Sequence, residues 1–150
     1  MHDGLPGLGA RQWGVGLMRA WLEEYAGKRG ALAWPHVAIT LYLVEEVSAR
    51  QKGYSGRGWN DRWVVIGQDD LCGDPIFVDD PVVLTAAHGE GSWEEVPIAK
   101  SLDVMIALMN IAEAVCTGEE EMMSGLAKIA ELNGDLEVDI EFWKVLIERF

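Results

Sequence analysis

The chain has 150 residues, 25 acidic and 12 basic, for a net charge of −13, with 49% hydrophobic and 25% charged residues. That composition excludes a disordered chain. A surface so negative repels phosphate backbones and anionic membranes, so neither nucleic acid nor membrane is an expected partner.

Domains run to roughly 100–200 residues, so one domain over residues 1–150 is expected. Residues 1–7 hold Gly4, Pro6 and Gly7, read as irregular, and lack the basic and apolar regions of a signal peptide. Trp13, Leu17, Trp21 and Tyr25 then recur at four-residue steps, with Met18 and Leu22 beside them, which predicts an amphipathic helix ending near Gly27 and Gly30. Val37 to Leu43 is short, apolar and preceded by Pro35, and reads as a strand. Val44 to Gln51 is more polar and reads as a helical turn, and Gly53, Gly56 and Gly58 mark residues 52–60 as a loop.

Three strands come next, at Arg62 to Gly67, Pro75 to Val78 and Val82 to Ala87, separated by turn chemistry at Asp69 to Asp74 and at Asp79-Asp80-Pro81. Connections this short permit only antiparallel hairpins. After a loop at His88 to Ser92, Trp93 to Ile98 reads as an edge strand, because Pro97 has no donor for an inner ladder.

Helices then return. Ser101 is an expected N-cap with Asp103 in the first turn, and Leu102, Met105, Ile106 and Met109 share a face. Thr117-Gly118-Glu119-Glu120 has capping-box spacing and predicts a helix start, with Met122, Leu126 and Ile129 inward and a stop at Asn133-Gly134. The last stripe is Ile140, Trp143, Ile147 and Phe150; Leu136 to Phe142 alternates as a strand would, but helix is the reading. Strands succeeded by helices make the fold class α+β, an antiparallel-rich sheet meander with helices before and after.

The chemistry of the turns is mainly structural. Gly73 permits a positive φ, Asp74 is suited to accept turn amides, and Pro75 starts a strand without needing a donor. Asp69, Asp70, Asp74 and His88 are the types that ligate hard cations, but the spacing of a calcium loop is missing, so no metal is expected. Cys72, His88 and Asp79 are the one set from which a nucleophile, base and orienting acid could be drawn, and no catalytic signature surrounds them. The expectation is therefore a non-enzyme with no cofactor. Cys72 and Cys116, with no CxxC spacing, are expected to be free buried thiols, which points to the cytoplasm. His36 is expected at a core or edge position, the Met105, Met109, Met122 and Met123 group in the core, and Glu119 to Glu121 at a solvated helix start.

Trp59 lies in a Gly-rich polar loop beside Arg57, Asn60 and Asp61, and Trp93 is flanked by Ser92, Glu94 and Glu95. Aromatics ringed by acids anchor protein interfaces.

The run Trp63-Val64-Val65-Ile66-Gly67-Gln68-Asp69-Asp70-Leu71-Cys72-Gly73-Asp74-Pro75-Ile76-Phe77-Val78-Asp79 resembles the signature of the SUKH superfamily. Pro81 to Leu84, His88-Gly89-Glu90, Trp93 and Ile98-Ala99-Lys100-Ser101-Leu102 are similar to the segments C-terminal to that signature in the superfamily. Glu45 to Tyr54 is similar to the segment N-terminal to it. The resemblance spans roughly residues 45–110, and the N-terminal third is divergent. It implies a SUKH-like fold in which Gly67, Gly73, Asp74, Pro75, Ile98 and Ser101 are mainly structural. It also implies a bacterial immunity protein that binds a cognate toxin, such as a basic nuclease domain. The alternative it implies is an intracellular regulatory or scaffold protein of the yeast cell-wall-regulator type. Expected partner contacts are Trp59, Asp69, Asp70, Asp79, Asp80, Glu90, Trp93, Glu94 and Glu95.

Overall fold

Short apolar runs between tight turns can satisfy their backbone only by pairing with their sequence neighbours. The structure, a computed structural model, shows that outcome; it describes residues 15–28, 32–54, 56, 58–87 and 92–148. Residues 1–7, Trp13, Gly30, Arg57 and Phe150 lie outside the described residues. The elements are α1 (Val15–Tyr25), β1 (Ile39–Leu41), α2 (Val44–Gln51), β2 (Val64–Asp69), β3 (Pro75–Asp79), β4 (Val82–Ala87), β5 (Glu94–Ala99), α3 (Leu102–Cys116), α4 (Met122–Leu132) and α5 (Ile140–Glu148). The five strands form one antiparallel sheet in chain order, β1-β2-β3-β4-β5, an α+β fold. β5, with Pro97, is an edge as expected. Asp79 pairs with Val82, so the β3–β4 hairpin is closed by two residues, across a cis Asp80–Pro81 peptide.

β1 is shorter than the Val37 to Leu43 run. Beyond its end, the Gln51 side chain takes over the outer edge of β2: its Nε2 donates to the Trp63 carbonyl (2.7 Å) and its Oε1 accepts from the Val65 amide (2.8 Å). α2, a full eight-residue helix, is held against the sheet by that amide and by buried Val47. Gly67 lies inside β2, where it pairs with Leu41; a Cβ there would run into the Thr40 carbonyl.

Strand alternation gives the sheet two faces. Phe77 faces Trp59 and Trp63, with ring centroids 5.2 and 4.4 Å away. Ile76, paired with Thr85 and through it with Val96, faces the helices. There, Met105, Leu108, Met109 and Ala112 of α3, Ile129 of α4 and Trp143, Leu146 and Ile147 of α5 are buried in one core with the strands and with Met18, Trp21 and Leu22 of α1. Ser101 caps α3 as expected, its hydroxyl accepting from the Val104 amide (3.2 Å). Trp34 donates to Asn110 (2.8 Å) and the His36 ring lies 2.7 Å from Glu113, which pin the chain before β1 to α3.

Two expectations are corrected here. Thr117-Gly118 does not start α4; it ends α3. Gly118 has φ +85°, its amide donates to Val115 and that of Glu119 to Ala114, a Schellman ending, and α4 begins only at Met122. The second concerns the methionines: Met105 and Met109 are buried, whereas Met123 is 73% exposed.

Gly67 and Gly73 resist substitution for different reasons. Gly67→Ala drives a Cβ into backbone in mid-sheet, where overpacking costs about 1–3 kcal/mol. Gly73, with φ +78°, has open space around it, so Gly73→Ala should cost about 1–2 kcal/mol and Gly73→Asn less. Chemical denaturation of these three variants and of Gly67→Asn checks this; a Gly67→Asn variant as stable as Gly73→Asn would refute the steric account.

Candidate functional site

The β2–β3 corner closes on the Asp69 side chain. Asp69 is buried, and its Oδ1 accepts from the Leu71 (2.7 Å) and Cys72 (3.3 Å) amides. Its own amide donates to the Asp74 carbonyl, and its carbonyl accepts from Gly73. Asp69 thus accepts turn amides at this corner, a role expected from sequence of Asp74 alone. Asp70 turns the other way: its amide donates to Ala38, and its carboxylate accepts from the Thr40 hydroxyl at 2.9 Å and from Gln68 at 3.2 Å.

This corner forms one wall of a cleft of about 410 Å³. The opposite wall is α5 and the turn before it, contributing Asp139, Glu141, Phe142, Val145 and Leu146; the floor is Thr85, Ala87, Glu94 and Val96. α5 is set there by Trp143, whose indole donates to the Ile98 carbonyl (2.9 Å), and by the Asp139 amide, which donates to Pro97 (2.7 Å). Five carboxylates line the cleft (Asp69, Asp74, Glu94, Asp139 and Glu141), and no basic side chain does so among the described residues. Leu71 (39% exposed) and Val145 (45% exposed) both line the cleft, apolar side chains left partly in water.

The expected contact residues divide into separate groups. Asp69 and Glu94 share the cleft, together with Asp74, which was expected to be mainly structural. Asp79 and Asp80 lie at the opposite end of β3. Asp79 takes a bidentate bond from Arg62 (2.8 and 2.9 Å), and partial desolvation, then Asp79, push the Asp80 carboxyl above its ordinary value. Glu95 is exposed on the face away from Glu94. Glu90, with His88, lies outside the described residues.

Trp59 and Trp93 are half-buried in an aromatic cluster. Trp59 stacks on Tyr54 (5.1 Å) and meets Trp63 and Trp93 edge-on at 4.8 and 5.4 Å. Gly58 lies so close to the Trp93 backbone that a Cβ would overlap it. Tyr54, Gly58 and Trp59 are thus packed onto the sheet. The signal for this was the 54, 59, 63 aromatic spacing. Sequence reasoning missed Leu71, Asp139, Glu141, Phe142 and Val145. The acids at 137, 139 and 141 marked that segment, but not its proximity to the corner.

Of the structural set, Pro75 opens β3 and its carbonyl accepts from the Thr85 hydroxyl (2.9 Å), and Ile98 is fully buried. Cys72 and Cys116 are both outside any disulfide, but neither is fully buried: Cys72 is exposed, because the corner points it outward, and Cys116 is half-buried. β3 separates it from Asp79 by its whole length. Ligand atoms of Asp69, Cys72 and Asp74 lie within 4.8 Å of one another, a proximity that the turn's own hydrogen bonds produce.

Comparison of the chain with protein-family models, with curated proteins and with solved structures finds no match.

The charge of the cleft is felt at Cys72: Asp69, then burial, then Asp74 push its thiol above the ordinary value. A raised value means less thiolate at a given pH and slower attack. In a Cys116→Ser background, iodoacetamide should label Cys72 more slowly than a free thiol at pH 8. Asp69→Asn, whose amide oxygen still accepts from the turn, should speed it. A pH–rate midpoint unchanged by Asp69→Asn would contradict this.

Proposed function

We propose that this chain is a non-catalytic binding protein of SUKH-like immunity type that neutralises a basic toxin domain by seating against it. The observation that carries the reading is the cleft: five carboxylates around exposed Leu71 and Val145, with no basic lining residue among those described, on a chain of net charge −13. The sequence resemblance over roughly residues 45–110 supports the immunity role.

The physical roles divide cleanly. Negative potential at the mouth speeds encounter with a cationic surface and disfavours acidic partners. Apolar side chains enclosed by a polar rim supply the slow dissociation. Neutralisation then requires only that the bound chain cover the toxin's working surface.

The test is to seek a toxin-like domain encoded beside this chain and co-express the two, read as growth rescue and as a purified complex. Rescue with a complex that weakens as salt rises is expected, since surface attraction is screened beyond about 10 Å at 0.1 M salt. A Glu94→Lys, Glu141→Lys pair should reduce affinity by about tenfold, mainly through association rate. No complex and no rescue would overturn the immunity reading.

A further inference from the structure

The cleft's chemistry specifies more than a basic partner. We infer that it takes a single segment of the partner protein, one that presents an aliphatic or aromatic side chain flanked by lysines or arginines. This rests on the binding role proposed above and names the part of the partner that the site reads.

Two features set the occupant. Leu71 and Val145 both line the cleft while still partly exposed, and Val96, Phe142 and Leu146 add further apolar lining. Water is expelled from such a surface only by another apolar group, so a purely polar cation leaves it unsatisfied. Asp74, Glu94, Asp139 and Glu141 surround it, and Cys72 on the same wall has its thiol pushed up by the local negative charge. That field rejects fatty acids, anionic headgroups and nucleic acid. The volume, about 410 Å³, holds an anchor side chain or two rather than a whole domain. The apolar anchor and its cationic flanks must therefore arrive on one short stretch of chain.

The probe is a twelve-residue capped peptide of alternating Lys and Leu blocks, titrated into the ¹⁵N-labelled full chain. Controls are a Lys/Ser peptide of equal charge and a Glu/Leu peptide of equal apolarity. Saturable shifts confined to amides of residues 69–74, 94–96 and 139–146 are expected with the Lys/Leu peptide alone. Val145→Asp and Glu141→Lys, both at exposed positions and checked for folding by circular dichroism, should each weaken it about tenfold. Glu131→Lys, exposed at the end of α4, should leave it nearly unchanged. Equal binding of the Lys/Ser peptide, shifts scattered over the surface, or an equal effect of Glu131→Lys would overturn the inference. A toxin complex indifferent to Val145→Asp and Glu141→Lys would overturn it while leaving the binding role standing. Peptide binding at the cleft with no toxin complex would do the reverse.

Discussion

The Asp69 carboxylate inside the β2–β3 corner is the constraint on which most of the molecule depends. A buried carboxylate is tolerated only if hydrogen bonds replace its water. Here two backbone amides, those of Leu71 and Cys72, do so. Those two bonds force Leu71 and Cys72 out of the sheet plane, and the chain returns to β3 through Gly73 at φ +78°. From the same corner Asp70 reaches back to Ala38 and Thr40 and so holds the three-residue strand β1 in place. One acidic turn thus sets the edge of the sheet on one side and a wall of the cleft on the other.

The other wall comes from a distant part of the chain, and its placement is purely tertiary. Trp143 bonds to Ile98, Asp139 to Pro97, and Asn133 to both Ile129 and the Lys100 amide, so α4 and α5 are fastened to the β5–α3 junction. This brings Asp139 and Glu141 toward Asp74 and Glu94. Like charges gathered around an apolar surface oppose the compact state. On the corner side of the cleft, Asp69, then burial, then Asp74 push the Cys72 thiol upward. A cationic partner would relieve the like-charge opposition, so complex formation would gain from removed repulsion as well as from new attraction.

Local chemistry was legible in the sequence; tertiary placement was not. The Ser101 cap, the β3–β4 hairpin, the Pro97 edge and the Asn133-Gly134 stop each depend on neighbours a few residues away, and each stands where the pattern puts it. The Thr117 box was misread because a Gly at its second position, free to take positive φ, makes a helix ending that outcompetes a helix start. Asp69 and Asp74 are equally suited to accept turn amides by composition; that Asp69 takes those of Leu71 and Cys72 is visible in the folded corner alone. The meeting of the cleft's walls had no sequence signal, since they lie about seventy residues apart in the chain.

The two faces of the sheet end in opposite conditions, and that contrast bears on where a partner can be held. On one face Trp59, Trp63, Trp93, Tyr54 and Phe77 spend their surface on each other. Aromatic anchors owe their strength to apolar area still in water before binding, and Trp59 and Trp93 have already buried much of theirs. On the other face Leu71 and Val145 remain wet within a field of carboxylates. Aliphatic anchors are smaller, and with Leu71 and Val145 39% and 45% exposed about 1 kcal/mol remains available from burying each. A tight complex at this face must therefore draw on the surrounding charge as well, which ties its strength to ionic conditions in a way that an interface anchored on tryptophan would not share.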